Sequence, residues 1–176
     1  MSWRLDPAKT GLLLIDLQER LVPAIDGGER VVRKAGGLLA AAELFSIPVF
    51  ATEQVPEKLG PTVAALELAR RGIAALPKVS FSAASVLPKE LPPTVIVAGV
   101  ETHVCVRQTV YDLRLGGRTV ILAGDAMGSR HPDDHRLALA EMRHDKVLIV
   151  SVEALAFELA GGADSPRFKA LLGVFR

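Results

Sequence analysis

Val97-Ala98-Gly99-Val100-Glu101-Thr102-His103-Val104-Cys105-Val106-Arg107-Gln108-Thr109 is the stretch that decides how this chain is read. Residues 94–100 form a short β-branched run with strand character, and residues 104–115 have the spacing of an amphipathic helix. A strand feeding directly into a helix is the opening of a βαβ unit. Cys105, the lone cysteine of the chain, falls in the first turn of that helix. Free N–H groups and the positive end of the helix dipole favour a thiolate there. Such a thiolate offers a nucleophile beside a place for an oxyanion. The same position also suits a small buried core residue, the commoner fate of a free cysteine.

Similar units extend in both directions. Gly11-Leu12-Leu13-Leu14-Ile15 is an apolar run that ends at Asp16, and residues 29–45 have helical spacing before the strand Val49-Phe50-Ala51. Residues 62–71 read as a helix opened by Pro61 and stopped by Gly72. The run 73–76 then reaches Pro77-Lys78. Beyond Gly116-Gly117 come a strand over 118–123, a helix over 132–144, a strand over 146–150 and a helix over 152–159. A turn at 161–166 precedes a short helical tail, 167–175, of a kind that more often packs on its own domain than on a partner. Strands alternating with helices predict one domain over residues 1–176, a three-layer α/β sandwich around a mostly parallel sheet with right-handed crossovers.

Composition agrees with this. The chain has 176 residues, 49% of them hydrophobic, and a mean hydropathy of +0.31. Strands covered by helices on both faces raise these figures, and so do buried interfaces between subunits. A net charge of +1 gives no electrostatic reason to expect nucleic acid or an acidic membrane as partner. One cysteine excludes an intrachain disulfide and suits a reducing compartment. The longest apolar stretch, 35–51, is interrupted by Glu43 and Pro48 and is too short to span a bilayer. With no signal-peptide pattern, a cytoplasmic location is the expectation.

In open α/β sheets the ligand crevice lies beyond the carboxyl ends of the strands. Three reactive side chains belong there: Asp16 after the first strand, Lys78 after the third, and Cys105 just past the fourth. Their convergence is an inference from topology. Taken singly, Asp16 could cap a turn and Lys78 could be solvated. Together they form a coherent set, with a nucleophile, a proton carrier and a cation beside the thiol.

The segments Leu13-Leu14-Ile15-Asp16-Leu17-Gln18, Pro77-Lys78 followed by Phe81-Ser82, Gly99-Val100-Glu101-Thr102-His103-Val104-Cys105-Val106, and Ala123-Gly124-Asp125-Ala126 resemble, in order and spacing, the isochorismatase-like cysteine hydrolase family. Thr52-Glu53-Gln54 and Leu59-Gly60-Pro61 look closest to its small branch of unassigned isochorismatase-domain proteins. The resemblance implies a six-stranded parallel sheet in a Rossmann-like fold and an Asp-Lys-Cys triad carried by Asp16, Lys78 and Cys105. It also implies a cis peptide at Val100-Glu101, with the backbone N–H groups of Glu101 and Cys105 as oxyanion hole. Gln18, Thr52, Gln54 and Phe81 are the candidate substrate-binding residues. Relatives that carry a metal have an Asp-x-His pattern where this chain has Thr52-Glu53-Gln54, so neither metal nor other cofactor is expected.

The implied activity is hydrolysis of a small amide through a thioester, with a small molecule as substrate and a homo-oligomer as the assembly. The alternatives are hydrolysis of an isochorismate-like ether, or a non-catalytic thiol-bearing binding or redox protein. Retention of Asp16 and Lys78 argues against the last, since a sensor needs no proton shuttle. Lys78 and the helix terminus are expected to outweigh Asp16 and burial, taking the Cys105 thiol below the ordinary value of about 8.5. His103 is expected to line the mouth of the site or to serve its loop. His131, His135 and His144 are expected on a solvated helix face.

Overall fold

The computed structural model describes residues 4–175. Six strands form one sheet: β1 (Thr10–Ile15), β2 (Val49–Gln54), β3 (Ala75–Lys78), β4 (Thr94–Val100), β5 (Thr119–Gly128) and β6 (Leu148–Val150). All neighbours pair in parallel, in the order β3-β2-β1-β4-β5-β6. Every residue of β1 is buried, as a central parallel strand covered on both faces requires.

Alternation sends Leu12 and Leu14 into one apolar layer and Leu13 and Ile15 into the other. The first layer contains Val31, Ala35, Leu38 and Leu39 of helix α1 (Gly28–Leu44). The second contains Val110 and Leu113, and with them Cys105 and Val106. The short helix α2 (Pro56–Leu59) follows β2, and α3 (Arg107–Leu115) follows β4. Helices α4 (Pro132–His144), α5 (Val152–Ala160) and α6 (Phe168–Val174) complete the layers. Leu171 of α6 is fully enclosed in the α1 layer, so the tail packs on its own domain.

Strand order reverses direction between β1 and β4, the switch point at which such sheets open a crevice. Backbones approach closely here. A Cβ on Gly99, whose φ is +124°, would meet the Ile15 carbonyl oxygen at 2.1 Å, so only glycine fits.

Several segments differ from the sequence reading. Residues 62–71 hold only a 3₁₀ turn, Ala64–Leu66, because their donors are used elsewhere. Thr62 donates through N and Oγ1 to Glu53 Oε1, and Val63 N donates to the Leu17 carbonyl. Glu67 then adopts a left-handed φ of 49°, which ends the turn. Strand β5 continues past Ala123 to Gly128, with a register shift against β4 between Val97 and Gly99. Lys146, with φ 66°, stands outside β6. Between β4 and α3 lies one π-helical turn, Thr102–Val106, so Cys105 belongs to a wide turn rather than to the start of an α-helix. π turns inserted before α-helices are frequent at functional sites.

Candidate active site

Asp16 ends β1 in a left-handed conformation, φ 53°, a rare geometry for a non-glycine residue that recurs at functional sites. Its N–H donates to the Thr52 carbonyl at 3.1 Å. Its side chain is fully enclosed, and Oδ1 accepts from Thr52 Oγ1 at 2.8 Å. Oδ2 stands 2.7 Å from Lys78 Nζ, itself fully enclosed.

Lys78 comes from the edge strand β3, two strands away from β1. At about 4.8 Å per strand, its four-carbon stem reaches across β2 and meets the Asp16 side chain, which reaches back from β1. The ammonium donates to Gln54 Oε1 at 2.5 Å, to the Phe81 carbonyl at 3.0 Å and to the Ser80 carbonyl at 3.3 Å. Three protons thus serve three carbonyl oxygens. The approach to Asp16 Oδ2 is a charge contact without hydrogen-bond alignment. Among the described residues, that oxygen is the one buried side-chain polar atom that accepts or donates no hydrogen bond. Unsatisfied buried acceptors are rare and ask for a reason.

Cys105 is 6% exposed. Burial, then the charge of Asp16, pushes its thiol up to about 12, against a smaller downward pull from Lys78. This reverses the expected sign: enclosure and the carboxylate outweigh the cation and the turn. The resting site therefore holds a neutral thiol next to an open carboxylate oxygen.

Glu101, Thr102 and His103, which open the turn that carries Cys105, are each tied to the end of β5 or to the segment that follows it. The Val100–Glu101 bond is cis. Glu101 Oε2 accepts from Arg130 N at 2.9 Å and from Arg130 Nε at 3.1 Å. Thr102 Oγ1 donates to the Gly128 carbonyl at 3.0 Å and lies 2.8 Å from His135 Nδ1. With the Thr102 proton spent on that carbonyl, His135 must carry its proton on Nδ1. His103 Nδ1 lies 3.0 Å from Ser129 Oγ. Sequence reading missed Ser129 and Arg130 because their partners lie 26 and 29 residues away. It also misplaced His135, which is half-buried with its pKa lowered, first by burial and then by the charge of Arg30. His131 and His144 are exposed.

Three of the four candidate substrate-binding residues do other work. Gln18, fully buried, brackets residue 54: its Oε1 accepts from Gln54 N at 2.8 Å, and its Nε2 donates to the carbonyls of Gln54 and Gly60. Thr52 holds Asp16. Gln54 holds Lys78, and its Nε2 donates to the Val79 carbonyl at 2.6 Å. Only Phe81, 53% exposed, has a side chain open to solvent. A cavity of about 480 Å³ opens beside Lys78, lined by Val55, Pro56, Pro77 and Val79 among others.

Asp125, in the fourth recognised segment, is a structural tie. Its Oδ1 accepts from Val152 N at 2.7 Å, and its Oδ2 pairs with Lys34 at 3.0 Å. Among the described residues no group of three or more His, Cys, Asp or Glu is placed to hold a metal ion. No helix of the described residues is long and apolar enough to cross a membrane.

The family model of the isochorismatase domain matches residues 10–154. The chain belongs to the isochorismatase domain family, a family of hydrolases. It is 36% identical over 178 residues to isochorismatase domain-containing protein 2A of Mus musculus, covering 98% of this chain and 85% of that one. The human isochorismatase domain-containing protein 2 is 36% identical over 171 residues, with 94% and 82% covered. The structure of a Caenorhabditis elegans protein called MAR1 ribonuclease superposes with a TM-score of 0.89 at 33% identity, over 97% of this chain and 91% of that one. The Escherichia coli YcaC protein, described as an octameric hydrolase of unknown specificity, has a TM-score of 0.89 at 21% identity, covering 99% and 90%, and shares the fold.

Proposed function

We propose that this isochorismatase-domain protein hydrolyses a small amide through a thioester on Cys105. The observation that carries this reading is Asp16 Oδ2: a buried carboxylate oxygen, held by charge at Lys78, with no hydrogen bond of its own. That is the requirement for a general base placed to take a thiol proton.

As the Cys105 sulfur attacks the carbonyl carbon, its proton passes to Asp16 Oδ2. Charge then gathers on the substrate oxygen, and the N–H groups of Glu101 and Cys105 receive it. The Glu101 N–H, outside both β4 and the π turn, donates in no turn, loop or side-chain hydrogen bond among the described residues. Asp16 returns the proton to the departing nitrogen as the C–N bond breaks. A water then loses a proton to Asp16 and attacks the thioester. The C–S bond breaks, the acid leaves, and the proton goes back to sulfur. Lys78 takes no part in the proton transfers in this reading: its N–H groups are directed at the carbonyl oxygens of Gln54, Ser80 and Phe81.

The cycle needs neither a metal nor an organic cofactor. We place the activity in the cytoplasm, which the single cysteine suits, and in a homo-oligomer, which the apolar composition and the exposed Val79 and Phe81 beside Lys78 support. A panel of small amides, scored by ammonia release, tests the reaction. RNA belongs in the same panel because a relative bears the name ribonuclease. The near-neutral charge supports the amide. Ammonia from at least one amide is the expected result; RNA cleavage without amide turnover would overturn the proposal.

A further inference from the structure

Strand β2 carries Thr52 and Gln54 at alternate positions, so both side chains stand on one face of the sheet. They lie between β1, which supplies Asp16, and β3, which supplies Lys78. Thr52 holds the carboxylate through Oδ1, and Gln54 holds the ammonium through Oε1.

Resting on the cysteine-hydrolase reading, we propose that Gln54 is a positioning residue: it draws a proton of Lys78 away from Asp16, so that Oδ2 keeps the ammonium's charge but stays open to the thiol proton. The geometry supplies the reason. Lys78 Nζ lies 2.7 Å from Oδ2, yet its aligned hydrogen bonds go to Gln54 Oε1 and to the carbonyls of Ser80 and Phe81. An ammonium without Gln54 has a proton to spare, and the nearest acceptor is Oδ2. A charge-assisted hydrogen bond there makes the carboxylate a poorer base.

The Gln54 amide cannot turn to release Lys78. Its Nε2 is held by the Val79 carbonyl at 2.6 Å, and a flip would face NH₂ toward ammonium. Gln18 grips the residue-54 backbone on both its N–H and its carbonyl. Val55, the next residue, donates to the Lys78 carbonyl from a left-handed φ of 39°, so the two strand ends are tied at this point. A neutral amide oxygen suits this task, since a carboxylate at position 54 would compete with Asp16 for the cation.

The test is alkylation of Cys105 by iodoacetamide, followed by intact mass from pH 6 upward. At neutral pH the reaction depends on Asp16 taking the thiol proton; in strong alkali it depends only on the free thiolate. Gln54→Met is expected to slow the neutral reaction about tenfold, a part of the roughly 10²–10⁴ that general-base assistance supplies, and to leave the alkaline rate within about twofold. A merely structural role moves both rates together. Gln18→Ala, which loosens the same strand end without touching Lys78, should lower the Tm and leave the ratio of the two rates unchanged. If Gln54→Met does not fold, Gln54→Asn, whose amide ends one carbon short, carries the same test. Equal change at both pH values, or none, overturns the role of Gln54. Asp16→Asn separates the levels: if it too keeps the neutral rate, the hydrolase reading itself falls; if it loses that rate while Gln54→Met does not, the fault lies with Gln54 alone.

Discussion

Lys78 Nζ and Asp16 Oδ2 stand 2.7 Å apart with both side chains fully enclosed, and still the oxygen accepts no hydrogen bond. The pair is an ion pair in which Oδ1 is held by Thr52 Oγ1 and only Oδ2 is left without a hydrogen bond. Removing one partner from such a pair strands a buried charge, which costs about 3–5 kcal/mol. Lys78→Met should therefore lower stability by about that amount, measured by urea denaturation. A loss below about 1 kcal/mol, the scale of an exposed pair, would show that the two charges are not enclosed as described.

Cys105→Ala should fold and lose turnover, because no neighbouring hydroxyl can replace the sulfur. Deleting one small group from the turn should cost about 1–2 kcal/mol. Circular dichroism and ammonia release check the two halves. Full activity in the variant would remove the cysteine from the mechanism.

The thiol pushed up to about 12 has a consequence for reactivity. Direct alkylation by iodoacetamide should keep climbing through the alkaline range, far above an exposed cysteine. Lys78→Met should move the climb higher still, since the cation is what opposes Asp16 there. A rate that levels off below pH 8 would contradict the burial and charge balance at the sulfur.

The same shift predicts a loss of stability in alkali. Unfolded chains release the thiol proton near the ordinary value, about 8.5–9, whereas the folded chain holds it to about 12. Above pH 9 the unfolded state binds fewer protons, so stability falls as pH rises through that window. Below pH 9 the contribution is fully present. Thermal melts at pH 8 and 10.5 should show a steeper fall for the wild type than for Cys105→Ala. Parallel falls would mean the thiol ionises as readily folded as unfolded.

Activity should survive dialysis against a strong chelator, since Thr52-Glu53-Gln54 offers no imidazole to a transition metal. Loss of activity restored by zinc or iron would contradict this.

Much of the fold was legible because its signals are local. Strand β4, Thr94–Val100, and helix α4, Pro132–His144, have the bounds that β-branched composition and the Pro132 start predict. Residues 62–71 were misread because their donors are captured by Glu53 and Leu17, partners that periodicity cannot reveal. The same limit applies at the site. Asp16, Lys78 and Cys105 stand out as reactive types at strand ends. In sequence Thr52 and Gln54 read as substrate contacts, and only spacing across three strands reveals that they hold the carboxylate and the ammonium. The sign of the thiol's shift was missed for a related reason: burial dominates it, and burial belongs to the packed molecule.

The central claim is an acyl group carried on Cys105, and hydroxylamine reads it directly. Added to a turnover with the best amide of the panel, it should intercept the thioester and yield the hydroxamate at the expense of the free acid, while Cys105→Ala yields none. Ammonia or product released at the full rate with no hydroxamate formed would contradict the account.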